Sequence, residues 1–230
     1  MDDSRDLTRR LVLQNVVWIA TLGALLFVSA GTPRWPAAWL FLATMGVLGL
    51  IGGFWFMKTN PGLLAERMRP MMQKDQPKAD KIFMVVLGPV ALIWLVIMGL
   101  DERYQWSGMS FEFQIFGLAL FMLSLAISFW VMQENTFAAP VVKIQTERGH
   151  QVISTGPYAF VRHPMYSGVI FFFFGVSLLL GSWWGAAITP IFIALFAARS
   201  VIEEKTLIAG LPDYPDYTAR VRYRLVPGIW

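Results

Sequence analysis

The chain has 230 residues, 56% of them apolar and only 15% charged, with a formal charge of +4. A soluble domain draws roughly a quarter of its residues from Lys, Arg, Asp and Glu, so this composition excludes an ordinary soluble fold, and the apolar excess excludes disorder. With no Cys and only two histidines, His150 and His163, neither a disulfide nor a metal site is expected, and no basic patch suggests a nucleic-acid partner.

An all-α, polytopic membrane bundle remains, in which each span needs about 20 apolar residues. The first run covers 11–30, the second 36–57, the third 82–100 and the fourth 111–132. The stretch 165–198 is too long for one span. Gly181 and Ser182 divide it into 166–180 and 183–198, each short, which reads as a tight helical hairpin. The expectation is six spans, or five plus a re-entrant half. The chain reads as one integral membrane domain, with a four-span part over 1–132 and a functional core over 133–230.

Basic residues test this count. With six spans, 17 of the Lys and Arg residues fall on one side and only Arg34 and Arg103 on the other. Positive charge stays inside, so both termini are expected in the cytoplasm. Five full crossings would move the last five basic residues outside and weaken the bias. A signal peptide is the rival reading of the N-terminus, with Val28, Ser29 and Ala30 loosely resembling a cleavage site. Asp2, Asp3 and Asp6 spoil its basic region and the apolar run is long, so a retained span is expected. No repeat or pair of inverted halves suggests a transporter. The outer loops are short and the polar mass lies on the basic side, where function is expected.

The informative stretch is 133–168, too polar to span and long for a bare connection. It ends in Arg162-His163-Pro164-Met165-Tyr166. Pro164 suits the first position of a helix, which puts His163 at the cap and Tyr166 on its face. The positive end of that helix favours an anionic group such as a ligand carboxylate. Arg199, Glu203 and Glu204 close the last run, with Arg199 and Glu203 four apart. The hairpin returns them beside His163, and ionisable groups at a membrane boundary are costly unless paired or functional.

Plainer explanations exist for each. His163 is by spacing more often a cap, Tyr166 an interfacial aromatic, and Arg199 with Glu203 a surface pair of a few tenths of a kcal/mol. Trp35, Trp39, Trp106, Trp183 and Trp184 suit outer-interface anchors. Phe171 to Phe174 read as lipid-facing or packed bulk, and Gly52 with Gly53 as helix packing rather than a nucleotide loop.

Gly156-Pro157-Tyr158, then Arg162 to Tyr166 and Gly168, followed by Glu203-Glu204, resembles the signature of membrane methyltransferases. These are the isoprenylcysteine carboxyl methyltransferases, the phospholipid methyltransferases and their bacterial relatives. The likeness runs from Asn135 to the C-terminus, and the loop from Asn60 to Arg67 is similar to that of the bacterial members. The resemblance implies S-adenosylmethionine as cofactor, bound between the fourth and fifth helices and at the carboxylate pair. It implies cofactor contacts at His150, Gln151, Val152 and Ile153, at Gly156 and Tyr158, and at His163, Pro164, Met165 and Tyr166. Glu203 and Glu204 join them, and Lys143 or Gln145 lines the same site. Arg199 matches an arginine near the acceptor carboxylate, so Arg199 and Glu203 are the catalytic pair it implies.

The chemistry implied is methyl transfer to a small lipophilic acceptor (carboxylate, thiol or amine) that enters from the membrane lipids, with no metal. The resemblance also implies a bacterial inner membrane. A membrane reductase using NADPH, of related C-terminal architecture, and a non-catalytic scaffold remain as alternatives. The tail over 213–230, with Tyr214, Tyr217 and alternating Arg220, Arg222 and Arg224, reads as a basic segment on anionic headgroups rather than a lid over the cofactor.

Overall fold

The computed structural model describes residues 2–230, and side chains from residue 5 onward. It contains eight α-helices and, among the described residues, no strand. The long helices are α1 (Asp2–Ala30), α2 (Pro36–Thr59), α4 (Lys78–Tyr104), α5 (Phe111–Glu134) and α7 (Trp183–Gly210). The shorter α6 (Pro164–Leu179) sits between α5 and α7. Two seven-residue helices, α3 (Pro61–Arg67) and α8 (Tyr214–Arg220), were not expected. Five helices are long and apolar enough to cross a membrane.

Local chemistry sets several boundaries. Pro36, Pro61 and Pro164 sit in the first turns of their helices, where a missing N–H costs nothing. The Asn60 side chain accepts from the Leu63 N–H at 3.1 Å and caps α3. Ser182 caps α7 by accepting from Gly185 N–H at 2.9 Å. Gly181, at φ +80°, makes the turn that reverses the chain between α6 and α7.

The first arm of the last hairpin is short, as expected, and only the second arm is longer than expected. α6 has 16 residues, about 24 Å at 1.5 Å per residue, and falls short of a 30 Å hydrocarbon core. α7 has 28 residues, about 42 Å, because it continues past Ala198 to Gly210. The polarity of Arg199 to Lys205 hides this continuation. The helix persists there because its backbone bonds are internal and its charges find partners. Arg199, Glu203 and Glu204 therefore lie within a helix rather than at its end.

Without a hydrophobic force between helices in lipid, close backbone approach and polar contacts hold a bundle together. α5 and α6 meet along two glycines. A Cβ on Gly117 would stand 2.3 Å from Leu179 N, and one on Gly175 would stand 2.6 Å from Phe121 N. Gly53 similarly receives Leu11, whereas Gly52 faces open space, so only one of that pair serves packing. Trp94 of α4 lies in the core, donating to Ser177 Oγ at 3.0 Å with its edge on Phe173. Phe173 in turn stacks on Phe192 at 3.5 Å between centroids.

At the end of the bundle near the 101–110 loop, Asp101 accepts from the hydroxyls of Ser107 and Ser182. That carboxylate fastens the end of α4 to the α6–α7 turn. Trp39, Trp106, Trp183 and Trp184 are exposed, as interface anchors require, but Trp35 is buried at the start of α2. Its ring belongs to the main hydrophobic core rather than to the interface.

The glycine contact makes a direct prediction. Gly117→Ala puts a methyl against backbone that cannot yield, at an overpacking cost of about 1–3 kcal/mol. Thermal unfolding in detergent is expected several degrees lower for Gly117→Ala and unchanged for Gly52→Ala. Equal midpoints for both variants would contradict the close approach.

Candidate functional site

A cavity of about 420 Å³ opens at the end of the bundle that carries the basic loops. Its deeper wall is apolar, from Met84 and Leu87 of α4, Leu125 of α5, Val169 and Phe172 of α6 and Phe196 of α7. Its other wall is polar, from the segment 135–163, the end of α3, Glu203 of α7 and the tyrosines of α8.

The polar wall is assembled on Asp80, in the first turn of α4 and wholly buried. Its Oδ1 pairs with Arg199 Nε at 2.9 Å. Its Oδ2 accepts from Gln76 Nε2 at 2.7 Å and from the backbone N–H of Val142 at 2.9 Å. Arg199 also donates from Nη2 to the Pro140 carbonyl at 2.6 Å and lies over the Phe83 ring at 4.7 Å. Arg199 is thus held by Asp80, rather than by the Glu203 four residues on. Among the described residues, nothing bonds its Nη1, and the side chain lines the cavity.

His163 stands between two neighbouring carboxylates. Its Nδ1 lies 3.5 Å from Glu203 Oε2 and its Nε2 lies 3.3 Å from Glu204 Oε1. Burial alone would lower its pKa. The hydrogen bonds to Glu203 and Glu204 and their charges outweigh that, and the imidazole is held above its usual value of 6.5. Tyr166 stacks against the His163 ring, 5.4 Å between centroids, and donates to Glu203 Oε2 at 2.6 Å.

The two glutamates part company. Glu203 lines the cavity, whereas Glu204 does not. Glu204 pairs with Arg162 at 2.7 Å and with Arg224 at 2.9 Å. Successive residues point about 100° apart on a helix, so one faces the cavity and the other ties α7 to the loop and tail.

The expected loop residues divide in the same way. Lys143, His150, Gln151, Val152, Ile153, Tyr158, Met165 and Tyr166 line the cavity with His163. Gln145 does not. It is fully buried, donates to the Phe137 carbonyl at 2.8 Å and accepts from Arg148. Its role is to brace the loop. Gly156 also lies outside the wall. At φ +56° its Cβ would meet the Glu134 carboxylate at 2.8 Å, so it is a turn that only glycine makes. Pro164 starts α6 and does not line the cavity either.

His150 accepts at Nδ1 from the Gln145 N–H, and burial lowers its pKa, so it is a neutral imidazole. Tyr158 is held by Asn135, which donates to its hydroxyl at 2.7 Å, and burial raises its pKa.

The tail does not simply lie on headgroups. Tyr214 and Tyr217 of α8 are part of the cavity wall. Tyr217 donates to the Tyr158 carbonyl at 2.8 Å. The backbone N–H groups of Arg162 and His163 donate to the carbonyls of Tyr223 and Arg224, both at 2.9 Å. The tail pins the 135–163 segment and contributes aromatics, which is the reading its basic residues obscured.

Other site residues carried no distinct signal in the sequence. Asp80 is an acid at the start of a span. Arg67 lies in the loop from Asn60, whose likeness to bacterial relatives marked the segment without giving it a role. Glu66 pairs with Lys143 beneath the loop. Among the described residues, no group of three or more His, Asp or Glu side chains is placed to hold a metal ion.

Breaking a buried ion pair by removing one partner costs about 3–5 kcal/mol, because the other charge is left uncompensated. Asp80→Asn is expected to lower thermal stability by that order, and Asp80→Leu with Arg199→Met to recover much of the loss. A wild-type midpoint in Asp80→Asn would refute the anchoring role. His163 adds a pH effect. Because its folded pKa is raised, its contribution is complete below about pH 6.5 and fades as pH climbs through the higher folded value. The stability gap between wild type and His163→Gln should therefore shrink from pH 6 to pH 9, and a gap that widens would reverse the assignment.

Residues 113–210 match the family model described as phospholipid methyltransferase. No curated protein sequence matches the chain. Among solved structures, the fold is similar to that of the eukaryotic intramembrane Ras methyltransferase, an isoprenylcysteine carboxyl methyltransferase. That likeness has a TM-score of 0.54 at 17% identity and covers 94% of this chain and 75% of the other. The chain thus has the all-helical membrane fold of an isoprenylcysteine carboxyl methyltransferase, and the part that builds most of its site matches the phospholipid methyltransferase family.

Proposed function

We propose that the protein transfers a methyl group from S-adenosylmethionine to a lipophilic or amphipathic acceptor at the membrane boundary, with a carboxylate the favoured acceptor. The observation that carries this reading is the two-sided cavity, polar toward the loops and apolar toward the bundle interior. A polar nucleoside and a lipid-soluble acceptor need such a site in common.

The residues present fit the cofactor. The Tyr214 hydroxyl is buried in the cavity wall with no partner among the described residues, which suits it to a bound ligand. Glu203 Oε1 is bonded to none of the described residues and offers a carboxylate to an ammonium or ribose hydroxyl. His163 and Tyr166 fix that carboxylate in place, while residues 150–153 and Tyr158 line the same cavity and would border the nucleoside. When bound, S-adenosylmethionine supplies an electrophilic methyl on a sulfonium.

The protein has little bond-making chemistry to perform. Alignment of two reactants is worth roughly 7–11 kcal/mol. Arg199 lines the cavity with a guanidinium clamped by Asp80 and Pro140, and it orients an anionic acceptor. A carboxylate or thiolate needs no general base. The apolar deep wall excludes water, and attraction between opposite charges at 4 Å rises from about 1 kcal/mol in water to about 4 kcal/mol near a protein surface. A lipophilic acceptor enters from the bilayer, and the distribution of basic residues supports both termini in the cytoplasm.

The test is ligand-induced thermal stabilisation of the purified protein. S-adenosylhomocysteine at 100 times its dissociation constant should stabilise the native state by about 2.7 kcal/mol. Glu203→Ala should abolish the shift. Stabilisation by NADPH alone would overturn the proposal in favour of a reductase, and silence from both ligands would favour a scaffold.

A further inference from the structure

Four arginine and lysine side chains reach the cavity wall: Arg67, Lys143, Arg162 and Arg199. Three have a carboxylate of the protein. Lys143 pairs with Glu66, Arg162 with Glu204 at 2.7 Å and Arg199 with Asp80 at 2.9 Å. Arg67 differs. Among the described residues its one hydrogen bond runs from Nη1 to the Ala138 carbonyl at 2.9 Å, a neutral acceptor, and no carboxylate pairs with it.

The fold keeps Arg67 in this position. It is the last residue of α3, whose start is capped by Asn60 and whose Leu63 and Leu64 pack in a small core with Leu11 and Phe56. The adjacent acid, Glu66, is turned away to Lys143 and Arg69. Tyr158 is the titratable group that acts on Arg67, and burial keeps its hydroxyl neutral. Burial also lowers the pKa of Arg67 itself, the signature of a cation whose counter-charge the protein does not supply. A guanidinium stays charged regardless, and its planar fork matches a carboxylate.

We propose that Arg67 is an anion-binding residue of the cavity, taking the carboxylate of a bound molecule as its counter-charge. Two carboxylates are chemically available: that of the cofactor's amino-acid end and that of the acceptor. Naming these two sources rests on the methyl-transfer reading above; the missing counter-charge does not. Residues 113–210 carry the family match, so this binding group comes from outside the matched part of the chain.

Dissociation constants measured on the full-length detergent-purified chain test the proposal. The probes are S-adenosylhomocysteine with its decarboxylated analogue, and palmitate with methyl palmitate. Arg67→Gln should weaken one carboxylate of the two pairs by about 10- to 100-fold, the range of a charge-assisted bond, and leave its carboxylate-free counterpart unchanged. The pair that responds identifies the source. Arg67→Met serves should Arg67→Gln not fold, with the unliganded melting temperature as the check. Unchanged affinity for both carboxylates overturns the proposal, as does an equal loss for each carboxylate and its counterpart. If wild type binds neither nucleoside, the methyl-transfer reading falls alone, and the palmitate pair still decides the role of Arg67.

Discussion

The site depends on one buried ion pair. Asp80 and Arg199 come from helices 119 positions apart in the chain, and each is almost wholly withdrawn from water. Taking either charge out of water alone costs several kcal/mol, so the two can be buried only together and with their remaining lone pairs and protons satisfied. Gln76, Val142 and the Pro140 carbonyl complete that requirement. The consequence is geometric. α4, α7 and the segment 135–163 are locked at one point, and the cavity is the space they enclose.

The same rule operates around Glu204. One carboxylate gathers Arg162, Arg224 and His163, and so attaches the loop and tail to α7. Glu66 holds Lys143, and Asp101 holds two serines at the opposite end of the bundle. In lipid, where apolar surfaces gain little from leaving one another's company, such contacts specify how helices meet. The glycines between α5 and α6 supply the other half, since they let the backbones touch.

Likeness of fold extends further along the chain than likeness of sequence. At 17% identity the arrangement of helices is still that of a Ras methyltransferase. The family match covers His163, Glu203 and Glu204, the residues that contact or hold the polar end of the cavity. Asp80 and Arg67 lie outside it. His163, Glu203 and Glu204 thus belong to the part that sequence patterns describe, whereas Asp80 and Arg67 reach the same end of the bundle from outside it.

The sequence by itself determined that this is a helical membrane protein, because runs of some 20 apolar residues have no other stable home. It also singled out His163, Tyr166, Glu203 and Arg199, which the fold brings to one cavity. Tertiary structure decided the rest. Whether Glu203 or Glu204 faces the cavity depends on the rotation of α7, which its apolar pattern on all sides leaves open. The resemblance offered Lys143 or Gln145, and of the two Lys143 lines the cavity while Gln145 braces the loop, because only packing shows where an amide finds its partners. Asp80 is one acid among several until α7 brings Arg199 to it. The tail read as a surface segment because its arginines are polar, whereas the carbonyls of Tyr223 and Arg224 and the Tyr217 hydroxyl bond inward. Composition and local spacing report the cost of burying a residue; the partner that offsets the cost is distant in the chain and visible only in three dimensions.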